Sequence, residues 1–436
     1  MNQVCLRLED PSLEAYLAIG GYQVWERLVK GTLSIEEALN EIKASMLQGR
    51  GGAGFLTGMK WGFMNRDTPG DKYLICNSDE GEPGTCKDTL ILRHNPHQLL
   101  EGMLICAHVI GANVCYNYLR GEYIREYDAC EKALLEAKQK GYVGENILGT
   151  GLTIQVHQLL GAGSYIVGEE TAMMESIEGK RAMPRNKPPF PAQKGLWGKA
   201  TTINNTETLA SVPVILEKGS QWFQDLGVKN ASGTKIFCVS GHVNQPGVFE
   251  LPMGTPFEEL IERCGGVRYG RHIKAVIPGG TSMRVIPGHK LPGLTMDHDA
   301  MKAVNSSIGS GGVIIMDEAT CMVEALRHMM RFYHEESCGQ CTPCREGSGW
   351  ILKMLNRVVS GEATVELIPQ IREVAMRIEG KTICAFGEAI SWPVTSFIDH
   401  FYEEFVYFAR HGRSMVSDES GFSWSEHVNR VEQHGG

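Results

Sequence analysis

In the stretch Cys338-Gly339-Gln340-Cys341-Thr342-Pro343-Cys344, two residues separate each cysteine from the next, and a fourth cysteine follows at Cys384. The full spacing is C-x2-C-x2-C-x39-C. Three closely spaced cysteines and a remote fourth are a common ligand set for a [4Fe-4S] cluster. Zinc sites more often use two separated C-x2-C pairs, or a cysteine pair with a histidine pair. The spacing therefore favours a protein that transfers single electrons, with a zinc site or inert buried thiols as the alternatives.

The sequence around these cysteines has the hydrophobic periodicity of helices. Apolar residues recur at helical spacing in four places after Ala319, namely Val323/Leu326/Met330/Tyr333, Ile351/Leu355/Val358, Ile368/Ile371/Ala375 and residues 390–408. Four consecutive helices of this kind are expected to pack as a four-helix bundle. We expect the cluster to lie between the first two helices, closed by the loop at Cys384.

Composition excludes several classes of protein. The chain has 436 residues, enough for about three domains of ordinary size, and its hydrophobic content of 42% is sufficient for a full core. A net charge of -9 without a long basic run argues against a nucleic-acid partner. The 13 cysteines have no disulfide-framework spacing, which is typical of a reducing compartment. No signal peptide, transit peptide or transmembrane stretch is visible, so we expect a soluble protein.

A glycine-rich stretch, Gly49-Arg50-Gly51-Gly52-Ala53-Gly54, formally matches G-x-G-x-x-G. The dinucleotide fingerprint requires a strand before this motif, whereas here a helix with a capping box at residues 34–37 precedes it. Bare backbone N–H groups can still approach a phosphate or a flat ring closely, and Arg50 and Lys60 supply positive charge. The alternative is a flexible linker, although linkers rarely interleave glycine with aromatic and basic residues.

Polar residues follow several predicted strands. Residues 73–77 read as a buried strand that ends in the acidic segment 77–85, and similar junctions occur at 161–171 and 204–208. Ligands of α/β proteins bind at the carboxyl ends of strands, so three junctions of this kind predict one α/β domain with a site at its loop edge. A single acidic turn exposed to solvent is the alternative for each junction taken alone.

The patterns divide the chain into four parts. We expect a helical lead-in over residues 1–48, an α/β ligand-binding domain over 49–228, a small α+β module over 229–318, and the helical region over 319–436. The predicted fold is therefore multidomain, combining α/β, α+β and all-α units.

The order of these segments is distinctive. Glycine-rich residues 49–61, acidic residues 77–87, and residues 161–170, 187–191 and 204–208 precede the four cysteines. This order resembles that of the NADH-binding flavoprotein subunits of respiratory complex I, the family of F subunits of NADH:quinone oxidoreductase, over nearly the whole chain. The resemblance implies a Rossmann-like domain that binds FMN and NADH, a β-grasp (ubiquitin-like) module, and a four-helix bundle that carries one [4Fe-4S] cluster.

The resemblance also implies roles for individual residues. The residues expected to hold FMN are Gly49, Arg50, Gly51, Gly52, Lys60, Asn77, Asp79, Asn204, Asn205 and Thr208. Those expected to line the flavin–nicotinamide pocket as catalytic residues are Glu80, Tyr165, Glu169 and Glu170. Those expected to bind the rest of NADH are Phe55, Phe63 and Phe190 at the adenine, Lys187 nearby, and Glu82 at the adenosine ribose. The cluster ligands are Cys338, Cys341, Cys344 and Cys384.

The implied activity is the oxidation of NADH by hydride transfer to FMN, followed by single-electron transfer to the cluster and onward towards quinone, because only a flavin exchanges electrons both in pairs and singly. The implied partners are a thioredoxin-like [2Fe-2S] subunit and a large multi-cluster iron–sulfur subunit. We expect a peripheral position on the cytoplasmic side of the bacterial inner membrane, in the hydrophilic arm of complex I.

Two other functions remain open on the sequence alone. One is the related flavoprotein (diaphorase) subunit of a soluble NAD-linked hydrogenase or formate dehydrogenase, although such chains often carry additional cysteine motifs that are missing before residue 49 and after residue 384. The other is a zinc-stabilised nucleotide-binding scaffold. The sequence departs from the family pattern at Val167, where a cysteine is usual.

Overall fold

A computed structural model describes residues 3–67 and 69–416. The N-terminal helices are α1 (Leu13–Ala18), α2 (Gln23–Val29) and α3 (Ile35–Ala44). The elements that follow are α4 (Thr57–Gly62), β1 (Tyr73–Ser78), α5 (Lys87–His94), α6 (Pro96–Ile110), β2 (Val114–Leu119), α7 (Ile124–Gln139), β3 (Gln155–Leu160), α8 (Glu170–Ile177), α9 (Pro191–Lys194), β4 (Thr201–Asn205), α10 (Thr206–Lys218) and α11 (Ser220–Asp225).

The second half of the chain begins with a mixed sheet and ends in helices. Its first elements are β5 (Thr234–Gly241), β6 (Gly247–Pro252), α12 (Phe257–Arg263), β7 (Ile273–Ile277), β8 (Ile286–Pro287), α13 (His298–Ala303) and β9 (Gly312–Asp317). The helices that follow are α14 (Met322–Glu335), α15 (Thr342–Val359), α16 (Leu367–Ile378) and α17 (Phe386–His411). Short 3-10 helices lie at Ile147–Gly149, Tyr165–Gly168, Leu196–Gly198, Arg268–Gly270 and Gly288–Lys290.

The α/β domain is built on a parallel sheet. Within the described residues, four strands pair in the order β3-β2-β1-β4, and every pair is parallel. Parallel strands need crossover connections, and helices provide them here and cover the sheet. The carboxyl ends of β1 and β4 are adjacent, with Asn77 opposite Asn205, so the polar segments that follow them meet at one edge. This confirms the predicted α/β domain and the predicted convergence of its strand ends.

The N-terminal helices share one hydrophobic core with this domain rather than forming a separate unit. Tyr16 and Trp25 are buried in the same apolar cluster as Leu104 of α6. The helices are also tied to α6 by a buried carboxylate, Glu101, which accepts hydrogen bonds from the Tyr16 hydroxyl (2.5 Å), the Tyr22 amide (2.8 Å) and the Trp25 amide (3.0 Å). The predicted capping box at the start of α3 is present between Ser34 and Glu37.

The mixed-sheet domain follows over residues 234–317. Within the described chain its strands pair in the order β6-β5-β9-β7-β8, and the central pair β5/β9 is parallel while the others are antiparallel. The elements β5, β6, α12 and β7 agree with the small α+β module expected over residues 229–318. Local sequence patterns did not predict β8, α13 and β9, and β9 is the strand that completes the centre of this sheet.

Four helices, α14 to α17, pack against one another and form the last unit. Their apolar faces make a continuous core that includes Leu326, Ile351, Ile371 and Phe397, as the periodicity predicted. The predicted helical region extends to residue 436, and its part beyond residue 416 lies outside the described residues. No helix among the described residues has the length and apolar content needed to cross a membrane.

We expect the substitution Glu101→Leu to destabilise the protein. It leaves the Tyr16 hydroxyl and two buried amides without an acceptor, at a cost of about 3 kcal/mol or more. Because a multidomain protein does not unfold in two states, the measurement is the first thermal transition together with limited proteolysis of the N-terminal helices. The matched control is Glu14→Gln, at an exposed position of α1. Equal melting and equal protease resistance of both variants would contradict the role assigned to Glu101.

Candidate flavin and iron–sulfur site

One cavity of about 560 Å³ lies where the three units meet. The α/β domain contributes the glycine-rich loop, the segment after β1, the Tyr165–Glu169 turn and Asn205. The mixed-sheet domain contributes Ser282, Met283 and residues 307–310, and the helical region contributes Cys384, Phe386 and Trp392. The cavity therefore places the predicted flavin-binding loops and one predicted cluster ligand around the same space.

Asp79 lines this cavity, and its carboxylate is not hydrogen bonded. Both of its carboxylate oxygens are buried and have no hydrogen-bond partner in the protein. Burial raises its pKa from 3.8 to about 7, since nothing nearby compensates the charged form sufficiently. Unpartnered buried carboxylates are rare, and this one suits hydroxyl donors of a ligand such as the ribityl chain of a flavin. The cavity thus fits the predicted use of Asp79.

The neighbouring Glu80 lines the cavity but is engaged by the protein. One oxygen accepts hydrogen bonds from the amides of Lys87 (2.9 Å) and Asp88 (3.0 Å), and the other accepts from the Tyr123 hydroxyl (2.9 Å). Glu80 therefore satisfies the free amides at the start of α5. Burial raises its pKa to about 7, and the charge of Asp88 acts in the same direction.

Glu82 and Tyr165 form a hydrogen-bonded pair on the same wall. The Tyr165 hydroxyl donates to Glu82 Oε2 at 2.6 Å, and the Ser282 amide donates to Oε1 at 2.8 Å. Burial raises the pKa of Glu82. A ribose hydroxyl that donated to Glu82, as the resemblance implies, would have to share its carboxylate oxygens with these two donors. The Tyr165 ring also contacts Phe332 and Phe386, so it joins the cavity to the helical region.

The glycine-rich loop reaches the cavity through Gly51 and Gly52. Gly52 has φ +126°, which side chains rarely adopt, and a Cβ on Gly51 would lie 3.2 Å from the Asn205 side chain. Arg50 and Gly49 are not among the lining residues. The Arg50 guanidinium donates instead to the Ser232 carbonyl at 2.7 Å and is buried. From the sequence this cation was expected to meet a phosphate, whereas in the structure it joins the loop to the start of the mixed-sheet domain.

The predicted polar residues of β4 and α10 hold this loop and the end of β1. Thr208 Oγ1 accepts a hydrogen bond from the Arg50 amide (2.8 Å), and Asn204 Oδ1 accepts from the Trp61 indole (2.9 Å). Asn205 lines the cavity and donates to Asp88 at 2.7 Å. Asn77 also lines the cavity, and its amide donates to the Gly168 carbonyl at 2.9 Å.

A chain of ion pairs lies beside the cavity. Glu170 is paired with Lys60 (3.3 Å) and Lys187 (2.6 Å), and Lys187 also approaches Glu169 at 3.3 Å. These pairs lower the pKa of Glu170 despite its partial burial. Of the four, only Glu169 lines the cavity itself. Its carboxylate also accepts from the Thr171 and Ala172 amides and so begins α8.

The three predicted adenine-binding aromatic residues are exposed. Phe55 and Phe63 have their ring centroids 6.1 Å apart, and both rings are at least half exposed. Phe190 is exposed to a similar degree, three residues after Lys187. Large exposed aromatic side chains are typical of surfaces that bind a flat ligand or a partner.

The four predicted cluster ligands are brought together around the start of α15. Cys338 precedes this helix, Cys341 is its N-cap, Cys344 lies in its first turn, and Cys384 lies just before α17. Two of these cysteines feel their neighbours: burial and then Cys341 and Cys338 raise the pKa of Cys344 to about 11, and burial, Glu169, Cys338 and Cys344 raise the pKa of Cys384 to about 12. Over residues 3–67 and 69–416, no group of three or more His, Cys, Asp or Glu side chains converges closely enough to hold a single metal ion. In a [4Fe-4S] cluster each thiolate binds a different iron atom, so the four ligands need not converge on one point. The donor set fits an iron–sulfur cluster because four thiolates are its usual ligands.

Several lining residues were not predicted from the sequence. Lys87 and Asp88 carry charge into the cavity wall from α5, and Ser282 and Ser310 come from the mixed-sheet domain. Lys87 and Asp88 directly follow the acidic segment and begin α5. Two opposite charges at this position were the sequence signal that could have assigned them to the site. The serines belong to loops with no local pattern, and only the tertiary structure brings them to the site.

Comparison with known families agrees with this geometry. The Nuo51 FMN-binding domain matches residues 42–214, the SLBB domain matches residues 236–286, and the NADH-ubiquinone oxidoreductase-F iron-sulfur binding region matches residues 324–407. The match at 236–286 lies in the mixed-sheet domain, which is therefore called the SLBB domain below. Fold and site together define a flavin- and iron–sulfur-dependent oxidoreductase.

Curated relatives specify the class further. The F subunit of NADH-quinone oxidoreductase in Rickettsia bellii is 51% identical over 85% of this chain and 89% of its own length. The F 2 subunit of the Rhizobium meliloti enzyme is 48% identical over 90% of this chain and 93% of its own length. The chain belongs to the family of F subunits of NADH-quinone oxidoreductase. It is an NADH dehydrogenase subunit that uses FMN and a [4Fe-4S] cluster in electron transfer.

Solved structures share the fold at lower identity. A chain of an NAD+-reducing [NiFe]-hydrogenase in the air-oxidized state matches with a TM-score of 0.81 and 33% identity, over 92% of this chain and 67% of that one. The H2-reduced form matches with a TM-score of 0.82 and 32% identity, over 97% and 71%. The Rossmann-like parallel sheet, the SLBB domain and the helical C-terminal region are thus common to both kinds of enzyme.

We expect Cys341→Ser to abolish the cluster, because one of its four thiolate ligands is lost. Flavin should remain bound, because Cys341 does not line the cavity. The measurement is iron and sulfide content with the flavin-to-protein ratio. Cys86→Ser, an exposed cysteine outside the cluster set, is the control and should retain iron and sulfide. Full iron content in Cys341→Ser would show that this thiol is not a ligand.

We expect flavin affinity to rise with pH through about 7, the pKa of Asp79 in the protein without flavin. Hydroxyl donors favour the charged carboxylate, so flavin binding lowers the pKa of Asp79. At a pH below about 7, binding therefore releases a proton, and the affinity falls by up to about tenfold for each pH unit. The measurement is the Kd of the apoprotein for riboflavin, which lacks the titrating phosphate of FMN. In Asp79→Asn the slope should vanish, and an unchanged slope there would assign it to another group.

Proposed function

We propose that this chain oxidises NADH within complex I, using the residues that the structure gathers at the three-unit cavity. The observation that carries the proposal is that Asp79 and the glycine-rich loop share one cavity with Cys384. Electron transfer to a cluster requires the flavin site to be close to it, and a shared wall satisfies this requirement. When bound, FMN accepts electron pairs from NADH and releases single electrons to iron–sulfur centres.

Within this proposal the flavin is held mainly by the α/β domain. Gly51 and Gly52 allow the loop backbone to approach the phosphate side, and Asp79, Asn77 and Asn205 face the ribityl chain. The residues proposed to position these groups are Gly49, Arg50, Lys60, Asn204 and Thr208. Backbone amides and a buried carboxylate need no rearrangement on binding, which supports tight retention.

The nicotinamide is proposed to enter beside Glu80, Tyr165, Glu169 and Glu170. Tyr165 holds Glu82 in place by its 2.6 Å hydrogen bond and keeps water out of this wall with its ring. Glu169 presents its carboxylate from the N-terminus of α8, so its orientation is fixed before the substrate arrives. These residues bind and orient the substrate, while the electron chemistry belongs to the cofactors.

The rest of NADH is proposed to extend towards the exposed aromatic residues. Phe55, Phe63 and Phe190 offer faces for the adenine, with Lys187 nearby for the pyrophosphate or ribose, and Glu82 for the adenosine ribose. Stacking on aromatic rings uses existing exposed apolar surface and so contributes affinity at little desolvation cost.

The cluster is proposed to be a single [4Fe-4S] centre on Cys338, Cys341, Cys344 and Cys384. Its surroundings restrain these ligands: Gly339 adopts φ +78°, and Arg181 and Arg345 donate to the carbonyls of Cys338 and Gly339. Cationic donors near the thiolates reduce the cost of the cluster's negative charge.

The finer architecture and the location are part of the same proposal. The strand order of the SLBB domain supports a β-grasp (ubiquitin-like) fold, and α14 to α17 support a four-helix bundle. The proposed limits are 1–48 for the helical lead-in, which shares the core of the α/β domain, and 49–228, 229–318 and 319–436 for the three units. The proposed partners are the thioredoxin-like [2Fe-2S] subunit and the large multi-cluster iron–sulfur subunit, in the hydrophilic arm on the cytoplasmic side of a bacterial inner membrane.

The decisive measurement is an anaerobic visible spectrum before and after NADH. We expect flavin absorbance and the broad iron–sulfur absorbance to bleach together in the unaltered protein. In Cys341→Ser only the flavin band should bleach, because the acceptor is gone. A protein that carries flavin and is indifferent to NADH would refute the proposed nicotinamide site.

A further inference from the structure

The segment from Glu82 to Cys86, called the seam below, lies at the interface between the α/β and SLBB domains. The Thr281 amide donates to the Pro83 carbonyl (3.3 Å), and the hydroxyls of Thr85 and Ser310 lie 2.5 Å apart. Gly84 packs so closely on Ile314 that a Cβ there would lie 3.0 Å from its side chain. The seam is therefore fixed against the SLBB domain by backbone and side-chain contacts.

Two cysteines meet at the end of this seam. The amide of Cys86 donates to Cys238 Sγ at 3.2 Å, which places the two side chains next to each other. Cys238 lies on β5, where its own amide is bonded to the Gly311 carbonyl (2.9 Å). Both thiols are free, and they come from different domains and are 152 residues apart in sequence.

The two thiols differ in accessibility and acidity. Cys86 is exposed, whereas the Cys238 side chain is almost completely buried. The Cys238 side chain lowers the pKa of Cys86, and the Cys86 side chain, together with burial, raises the pKa of Cys238. An accessible thiol of lowered pKa beside a shielded second thiol is the usual arrangement of an attacking and a resolving cysteine.

We propose that Cys86 and Cys238 form a thiol–disulfide site that reacts with low-molecular-weight disulfides. The Cys86 thiolate attacks one sulfur of oxidised glutathione, forms a mixed disulfide and releases one glutathione thiolate. Cys238 then attacks the Cys86 sulfur, forms the Cys86–Cys238 disulfide and releases the second glutathione. The two protein thiols lose two electrons and two protons, and one glutathione disulfide becomes two glutathione thiols.

The bridge would join two domains beside the cavity. Thr85, the residue before Cys86, lines the cavity together with Glu82. A disulfide at this point would covalently fix the part of the cavity wall that Glu82 and Thr85 form. Oxidation of the thiol pair would therefore affect substrate binding in the cavity and not the cluster.

The test treats the anaerobic holoprotein with oxidised glutathione, alkylates the remaining thiols and maps peptides without reduction. The cluster cysteines are occupied by iron and do not react. The expected product is a Cys86–Cys238 cross-linked peptide with loss of alkylation at both positions, reversed by dithiothreitol.

Two variants distinguish the steps. Cys238→Ser should stop at the mixed disulfide, with glutathione retained on Cys86, because the resolving thiol is missing. Cys86→Ser should leave Cys238 unmodified, because that thiol is shielded. The proposal is overturned if the unaltered protein and Cys238→Ser give the same mixed disulfide, or if Cys86 is not modified in either.

Discussion

A buried network of charges behind the cavity sets the relative positions of the surrounding elements. Lys87 pairs with Asp88 (2.6 Å) and Glu207 (3.0 Å), and Lys235 approaches Glu207 at 3.8 Å, with all four side chains essentially inaccessible. Buried charges are tolerated only when they are paired, and removing one partner is costly. Because these residues come from α5, α10 and β5, the network fixes the α/β and SLBB domains to each other. The Arg50 guanidinium belongs to the same environment. Burial lowers its pKa, and the negative charge of Glu207 opposes this shift.

Local patterns predicted much of the fold and of the site, and their failures have physical causes. The spacing of Cys338, Cys341 and Cys344 and the periodicity of α14 to α17 are local, so the helical region was predicted from the sequence. The strand β9 begins in a glycine-rich run and owes its place to pairing with β5 and β7, which no local signal contains. Arg50 next to glycines suggested a phosphate ligand, yet its side chain is directed to the Ser232 carbonyl by contacts more than 180 residues away in sequence.

The similarity to a hydrogenase chain shows what the scaffold does and does not determine. One arrangement of parallel sheet, SLBB domain and helices occurs in enzymes whose electrons travel between NAD and different partners, at 33% identity. In this chain the scaffold places the cavity beside the predicted cluster ligand Cys384. Choice of partner must therefore reside in surface residues that the shared core does not constrain.

The cavity with walls from three units also has a consequence for biogenesis. A ligand that touches all three units binds only the fully assembled arrangement, and by mass action it stabilises that arrangement by RT ln(1 + [L]/Kd). Cofactor binding and domain assembly are thereby coupled, because a chain without flavin lacks this contribution to the stability of the assembled arrangement. The wall that joins the cavity to Cys384 thus links the stability of the domain arrangement to its cofactor content.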